Sequence, residues 1–287
     1  MALKLRIGAI TDEYDPVDLA RALQAMMDTG MAGVELRMVY GKNIMNLSDG
    51  ELETARAEAA AKGLEVVSIA SPLLKCVLPD SPAVDERFQH DIFASQHTFE
   101  DQPALARKAL RIARMMGARI VRVFSYWRTV APERCFERIV EALRGLADQA
   151  RQEDLIIGLE NEHACNIATA AEAARVLQAL DHPNLKLVWD PANALCAGEN
   201  PFPSGYRRLD ASRIVHVHAK DCRMEGHKPL WGPLGTQTVD WKGQIEALLA
   251  DGYAGYIHLE THWSGPGDNK FLASVICGEN LKGLVAA

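Results

Sequence analysis

Residues 214–221 read Ile-Val-His-Val-His-Ala-Lys-Asp, and the alternation in this stretch decides the fold. Successive side chains of an extended chain point to opposite faces, so His216, His218 and Lys220 share one side while Val215, Val217 and Ala219 share the other. A strand with one face packed on helices and the other lined with polar groups suits a parallel sheet rolled into a closed cylinder. Its neighbours along the chain repeat the pattern. The run Leu155 to Glu162 puts Glu160 and Glu162 on the face of Gly158, the run Leu185 to Asp190 ends on an acid, and Gly255 to His262 sets His258, Glu260 and His262 together. Working toward the N-terminus, Arg6 to Thr11, Gly33 to Val39, Glu65 to Ser71 and Arg119 to Tyr126 complete eight strands.

Helical signals fall between them. Asp15-Pro16 places a capping carboxylate before a proline, while Ser48 with Glu51 and Thr169 with Glu172 form capping boxes. From Pro103 to Met116 the apolar Leu105, Ala109, Ile112 and Met116 fall on one stripe. Gly30, Gly63, Gly117 and Gly252 each follow an amphipathic run, as left-handed helix ends require. Eight strand-loop-helix units predict an α/β fold, a single (β/α)8 TIM barrel over residues 1–287. A doubly wound sheet would carry a Gly-rich turn after its first strand, where this chain has Thr11-Asp12-Glu13, so no nucleotide cofactor is expected. The stretch from Pro72 to His97 is long for a connection and reads as a lid or binding loop; His90 and His97 on it are either lid groups or surface histidines.

The 287 residues are 48% hydrophobic and carry 31 Lys+Arg against 38 Asp+Glu, a net charge of -7 that disfavours nucleic acid and anionic membranes as partners. MALKLRIGAITDEY has no signal-peptide core and no later run is long enough to span a bilayer, so a cytoplasmic location is expected. The six cysteines form no C-x-x-C pair and read as reduced, buried small hydrophobes.

On a barrel, active sites lie at the C-terminal ends of the strands. With apolar faces outward, Glu160, Asp190, His218 and Glu260 converge there from four successive strands. Three carboxylates in one cavity repel unless a cation compensates, and oxygen-rich ligation with one imidazole suits Mn2+ or Mg2+, while tolerating Co2+ or Zn2+. Taken singly, each is more often a solvated loop residue or a helix cap than a ligand. His216 and His258 sit two residues deeper and are expected to support the ligands by hydrogen bonds. Glu162, Asn161 and His163 follow Glu160 and either line the pocket or are solvated. Trp127, Trp231 and Trp263 lie near strand ends, to stack on a sugar or to plug the rim.

These residues carry a resemblance. GVEL at 33–36, LEN at 159–161, WDPANA at 189–194, HVHAKD at 216–221, VDW at 239–241 and GYIHLE at 255–260 make the chain similar, over its full length, to the xylose isomerase-like TIM-barrel superfamily of sugar phosphate isomerases and epimerases. Similarity to the ketose 3-epimerases implies that Glu160, Asp190, His218 and Glu260 are metal ligands and that Glu160 and Glu260 also serve as acid and base. Asn193 stands where those epimerases carry a His, and Arg223 lies near the position of a family Arg. Lys220 resembles the Lys of an HxKD variant, a cation to hold an oxyanion or to pair with Asp221 or Glu162. Glu162, His163, Asn193, Lys220 and Arg223 thus form the expected substrate-binding set.

The resemblance implies a metal-dependent isomerase or epimerase of a small sugar, keto-sugar or sugar derivative, acting by α-proton removal and an enediolate. A dehydratase of the inosose dehydratase kind, or a lyase acting on 3-oxo-glycosides, is the alternative on the same scaffold. An endonuclease IV-like nuclease would need more His ligands and a basic face, and a non-catalytic sugar-binding barrel would lack metal. A homo-oligomer is the usual state of such relatives.

Overall fold

Each barrel stave is a short β-branched run whose outer face is covered by the helix that follows it. In the computed structural model, which describes residues 5–89 and 97–286, eight parallel strands close in chain order. They are β1 (Arg6–Ile10), β2 (Gly33–Leu36), β3 (Glu65–Ala70), β4 (Ile120–Val123), β5 (Ile156–Glu160), β6 (Leu185–Trp189), β7 (Ile214–Ala219) and β8 (Tyr256–Leu259), with β8 pairing back onto β1. The helices are α1 (Leu19–Thr29), α2 (Asp49–Ala61), α3 (Gln102–Met116), α4 (Phe136–Gln152), α5 (Ala170–Ala179), α6 (Pro191–Cys196), α7 (Trp241–Ala250) and α8 (Lys270–Ala286). None of the described helices is long and apolar enough to cross a membrane.

Local chemistry accounts for most boundaries. Both capping boxes form, at Ser48 with Glu51 and at Thr169 with Glu172. Gly30, Gly63, Gly117 and Gly252 all take positive φ. The expected stripe of α3 is buried. One start is corrected: α1 begins at Leu19, not with Pro16 as its first residue. Asp15 uses its carboxylate on the N–H groups of Val17 and Asp18, so Asp18 takes over as cap, accepting from the Arg21 N–H. The strands also stop earlier than the alternation suggests. At the end of β5, Asn161 replaces the ladder by accepting the Asp190 N–H and donating to the carbonyls of Asp190 and Ala168. Beyond β2 the chain turns, and Met38–Val39 pairs antiparallel with Lys42–Asn43.

The interior is graded along the barrel axis. Val67, Ile120 and Tyr256 form a small apolar cluster, and one inward position further along β4 and β8 come Arg122 and His258. The carboxylates follow at the mouth. Gly8 makes room for this grading, since a Cβ there would lie 2.3 Å from both the Gly33 carbonyl oxygen and His258 Nε2. All six cysteines are buried free thiols, as expected.

Candidate active site

Glu160 closes β5, Asp190 follows β6 as the N-cap of α6, His218 lies on β7 and Glu260 follows β8. All four are buried, and each offers one atom such that the four atoms lie within 4.8 Å of one another. The strands bring them to one depth; other side chains aim them. Arg122 Nη1 donates to Glu160 Oε2 at 2.7 Å, Arg37 Nη1 to Glu260 Oε1 at 2.9 Å, and the Asn193 N–H to Asp190 Oδ1 at 2.9 Å. One oxygen of each acid is thereby engaged at the periphery. Of the others, Glu160 Oε1 lies 3.2 Å and Glu260 Oε2 3.5 Å from His218 Nδ1.

Below this layer sits Glu35, on β2. Its Oε2 accepts from His218 Nε2 at 2.9 Å and His216 Nε2 at 3.0 Å, lies 3.7 Å from His258 Nδ1, and Ser68 Oγ donates to Oε1. With the Nε2 proton directed at Glu35, Nδ1 is the nitrogen that His218 presents to Glu160 and Glu260, the carboxylate–histidine arrangement that orients metal ligands. His216 bonds Glu35 beneath the layer, whereas His258 lies beyond hydrogen-bond distance of it, and neither bonds one of the four groups directly. Burial alone would raise Glu35, but the charge of His218 and the imidazole hydrogen bonds hold it well below the usual carboxylate range. Burial lowers His218, yet Glu35 and Glu160 outweigh it and raise the imidazole well above its ordinary value. Asp190 is pushed up to about 6 by burial, against the opposing charge of Lys220. The raised imidazole and the crowded carboxylates have one cause, the concentration of negative charge at this depth of the barrel.

Lys220 is 1% exposed, and its partners differ from both ion pairs that the sequence suggests. Nζ lies 2.7 Å from Glu260 Oε2 and 2.9 Å from Asp190 Oδ2. Asp221 is committed elsewhere, accepting the backbone N–H groups of Gly235, Gln237 and Val239. Glu162 instead faces His163, whose Nδ1 is 2.8 Å from Oε1. Burial opposes the charge on Glu162, but His163 and Lys75 hold it well below the usual range. Asn193 joins the two groups: Nδ2 donates to Glu160 Oε1 at 3.3 Å, and Oδ1 is 2.9 Å from His163 Nδ1.

Glu162, His163, Asn193 and Lys220 are thus brought to the cluster, and Arg223 is not. After Asp221 the chain enters a hairpin, Cys222–Glu225 with Lys228–Trp231, on which the exposed Arg223 pairs with Glu225 at 3.1 Å. Asn161 is corrected too, from pocket lining to a tie between β5 and β6. Trp231 packs edge-on against His262 at 4.6 Å, Trp127 lies near Lys75, and Trp263 is packed against the core. His97 lines a rim cavity of about 420 Å3 with Phe99 and Trp127; His90 lies outside the described residues. The sequence reading missed Glu35, Arg37, Arg122 and Lys75. Glu35 and Arg122 lie within apolar strand runs and Arg37 directly after one, an irregularity that names no partner, and Lys75 lies in the loop after β3.

The chain belongs to the xylose isomerase-like TIM barrel family, which it matches over residues 23–276. It is 28% identical over 151 residues to an inosose dehydratase of Lacticaseibacillus casei, a match covering 47% of this chain and 50% of that relative. The chain thus spans about half the length of the curated relative it matches. The probable 3-DHS dehydratase AsbF of Bacillus anthracis superposes with a TM-score of 0.71 at 20% identity, covering 97% of this chain and 98% of that one. The IolI protein with a bound zinc atom gives 0.73 at 17%, covering 99% and 98%. At these identities the structural likeness concerns the fold alone.

Proposed function

We propose that the protein is a divalent-metal-dependent enzyme that removes the proton alpha to the ketone of a keto-polyol or related sugar derivative and then eliminates a β-hydroxyl as water. The observation that carries this reading is the layer of Glu160, Asp190, His218 and Glu260, with one oxygen of each acid engaged by a peripheral donor and His218 Nδ1 presented by Glu35. Three carboxylates and one imidazole fit Mn2+ or Mg2+ and tolerate Zn2+, the ion bound in the IolI protein. Held by these four residues, a divalent ion would supply Lewis-acid polarisation of the ketone.

The protein side chains divide the proton work. Glu160 faces Arg122 and the His218 ring, whereas Glu260 faces that ring and both Arg37 and Lys220, so Glu160 is the stronger base and takes the α-proton. We assign protonation of the departing hydroxyl to the buried Lys220 and the part-buried His163. The match to an inosose dehydratase supports elimination. Epimerisation or isomerisation is the second reading, favoured by the placement of Glu160 and Glu260 at the two ends of the four-strand arc, where one removes and the other returns a proton.

Incubation with Mn2+ and a panel of inososes, 3-oxo-glycosides and free ketoses in D2O separates the outcomes by mass. Loss of one water is expected for an inosose. Deuterium uptake without loss of mass to water would move the assignment to an epimerase or isomerase. Neither change with any ketone would end the proposal.

A further inference from the structure

The inward oxygens of Glu260 and Asp190 have a second claimant. Glu260 Oε1 is held by Arg37 and Asp190 Oδ1 by the Asn193 N–H, so Oε2 and Oδ2 are the atoms left for an ion, and both lie within 2.9 Å of Lys220 Nζ. The ammonium is buried in this position, being 1% exposed. Its backbone is fixed. Trp241 Nε1 donates to the Lys220 carbonyl, and Asp221, the next residue, is tied by the three N–H groups of Gly235, Gln237 and Val239. Only the side chain can yield, and Glu162 and the Trp231 ring, 5.8 Å from Nζ, are on hand to receive it.

We infer that Lys220 is a resident competing cation, sharing the carboxylates of Asp190 and Glu260 with the divalent ion and so weakening and regulating metal binding. This rests on the proposed metal site. The physical argument is one of charge and place: two carboxylate oxygens that neutralise an ammonium at contact distance are less available to a second cation, and a second cation so close is repelled by the first. A lysine that served only to grip substrate would leave metal affinity in the free protein unchanged. One that merely propped the mouth open would weaken metal binding when removed.

The test is the Mn2+ dissociation constant of the full chain without substrate, measured by calorimetry for wild type, Lys220→Met and Lys220→Arg. Lys220→Met is expected to bind Mn2+ at least about tenfold more tightly, with Lys220→Arg, which keeps the charge, remaining near wild type. Metal-free Lys220→Met is also expected to melt below wild type and to regain that loss on adding Mn2+. If Lys220→Met fails to fold alone, chelator competition on protein refolded with Mn2+ reads the same constant. Equal or weaker binding by Lys220→Met overturns the inference and leaves the metal site standing. Absence of Mn2+ binding by wild type and variant alike overturns both.

Discussion

His258 is enclosed on every side: its ring packs edge-on against His216 at 4.3 Å and Tyr256 at 5.4 Å, and Gly8 backs it across the strand pair. Burial, with the charge of His216 adding to it, pushes its pKa from 6.5 down to about 3. The unfolded chain therefore takes a proton near its ordinary value, while the folded chain declines one until far lower pH. Between these limits the unfolded state holds more protons, so stability is intact above 6.5 and falls as pH is lowered toward 3. His216 and His262 are shifted in the same direction, whereas His218 is shifted upward and opposes them. Urea unfolding from pH 7 to 4 should show His258→Asn losing a slope of about 1.4 kcal/mol per pH unit relative to wild type. Identical slopes would mean that the folded protein protonates His258 readily.

At the scale of the element, β1 lets the inner layers approach one another. Gly8 pairs with Gly33 on one side and His258 on the other, and a methyl group would press on a backbone carbonyl that has nowhere to move. Gly8→Ala should cost about 3 kcal/mol or more in the urea midpoint, the upper range for overpacking; a loss below half a kilocalorie would show that β1 can shift outward. The contrast with what the sequence reveals is instructive. Ser48, Thr169, Gly30 and Gly117 announce helix ends because their chemistry acts within four residues, and the alternation in 214–221 announces a strand because its period is local. Glu160, Asp190, His218 and Glu260 were legible together because equivalent depth on successive strands brings them together. Arg37 and Arg122 were not, because an arginine in a short apolar run gives no sign of a partner 223 or 38 residues away. Lys220 was visible as a mouth residue, but its choice of Asp190 over Asp221 depends on backbone donors in the loop at 235–239.

For the whole molecule, barrel closure is what turns scattered acids into a site. Pairing of β8 with β1 and β1 with β2 sets Arg37 within reach of Asp12, Glu13 and Glu260 at once, and Lys270 from α8 reaches Glu13 from outside. Arg37 and Arg122 hold the periphery of the acidic layer, while its centre gathers the inward oxygens of Glu160, Asp190 and Glu260 around one imidazole and the Lys220 ammonium. Such crowding opposes folding unless a cation offsets it, so an ion that binds only the folded barrel must stabilise the entire chain. At a free Mn2+ concentration 100-fold above its dissociation constant the gain is about 2.7 kcal/mol, a rise of roughly 5 °C in melting temperature for a protein of this size. Chelator should reverse it. Asp190→Asn removes one charge from the layer and keeps the side chain nearly the same shape; its melting temperature should respond weakly to Mn2+ while its circular dichroism matches wild type. A wild-type melting temperature indifferent to both Mn2+ and chelator would mean that Arg37, Arg122 and Lys220 already balance the carboxylates, and that the cluster is an ion-pair network closing the barrel mouth.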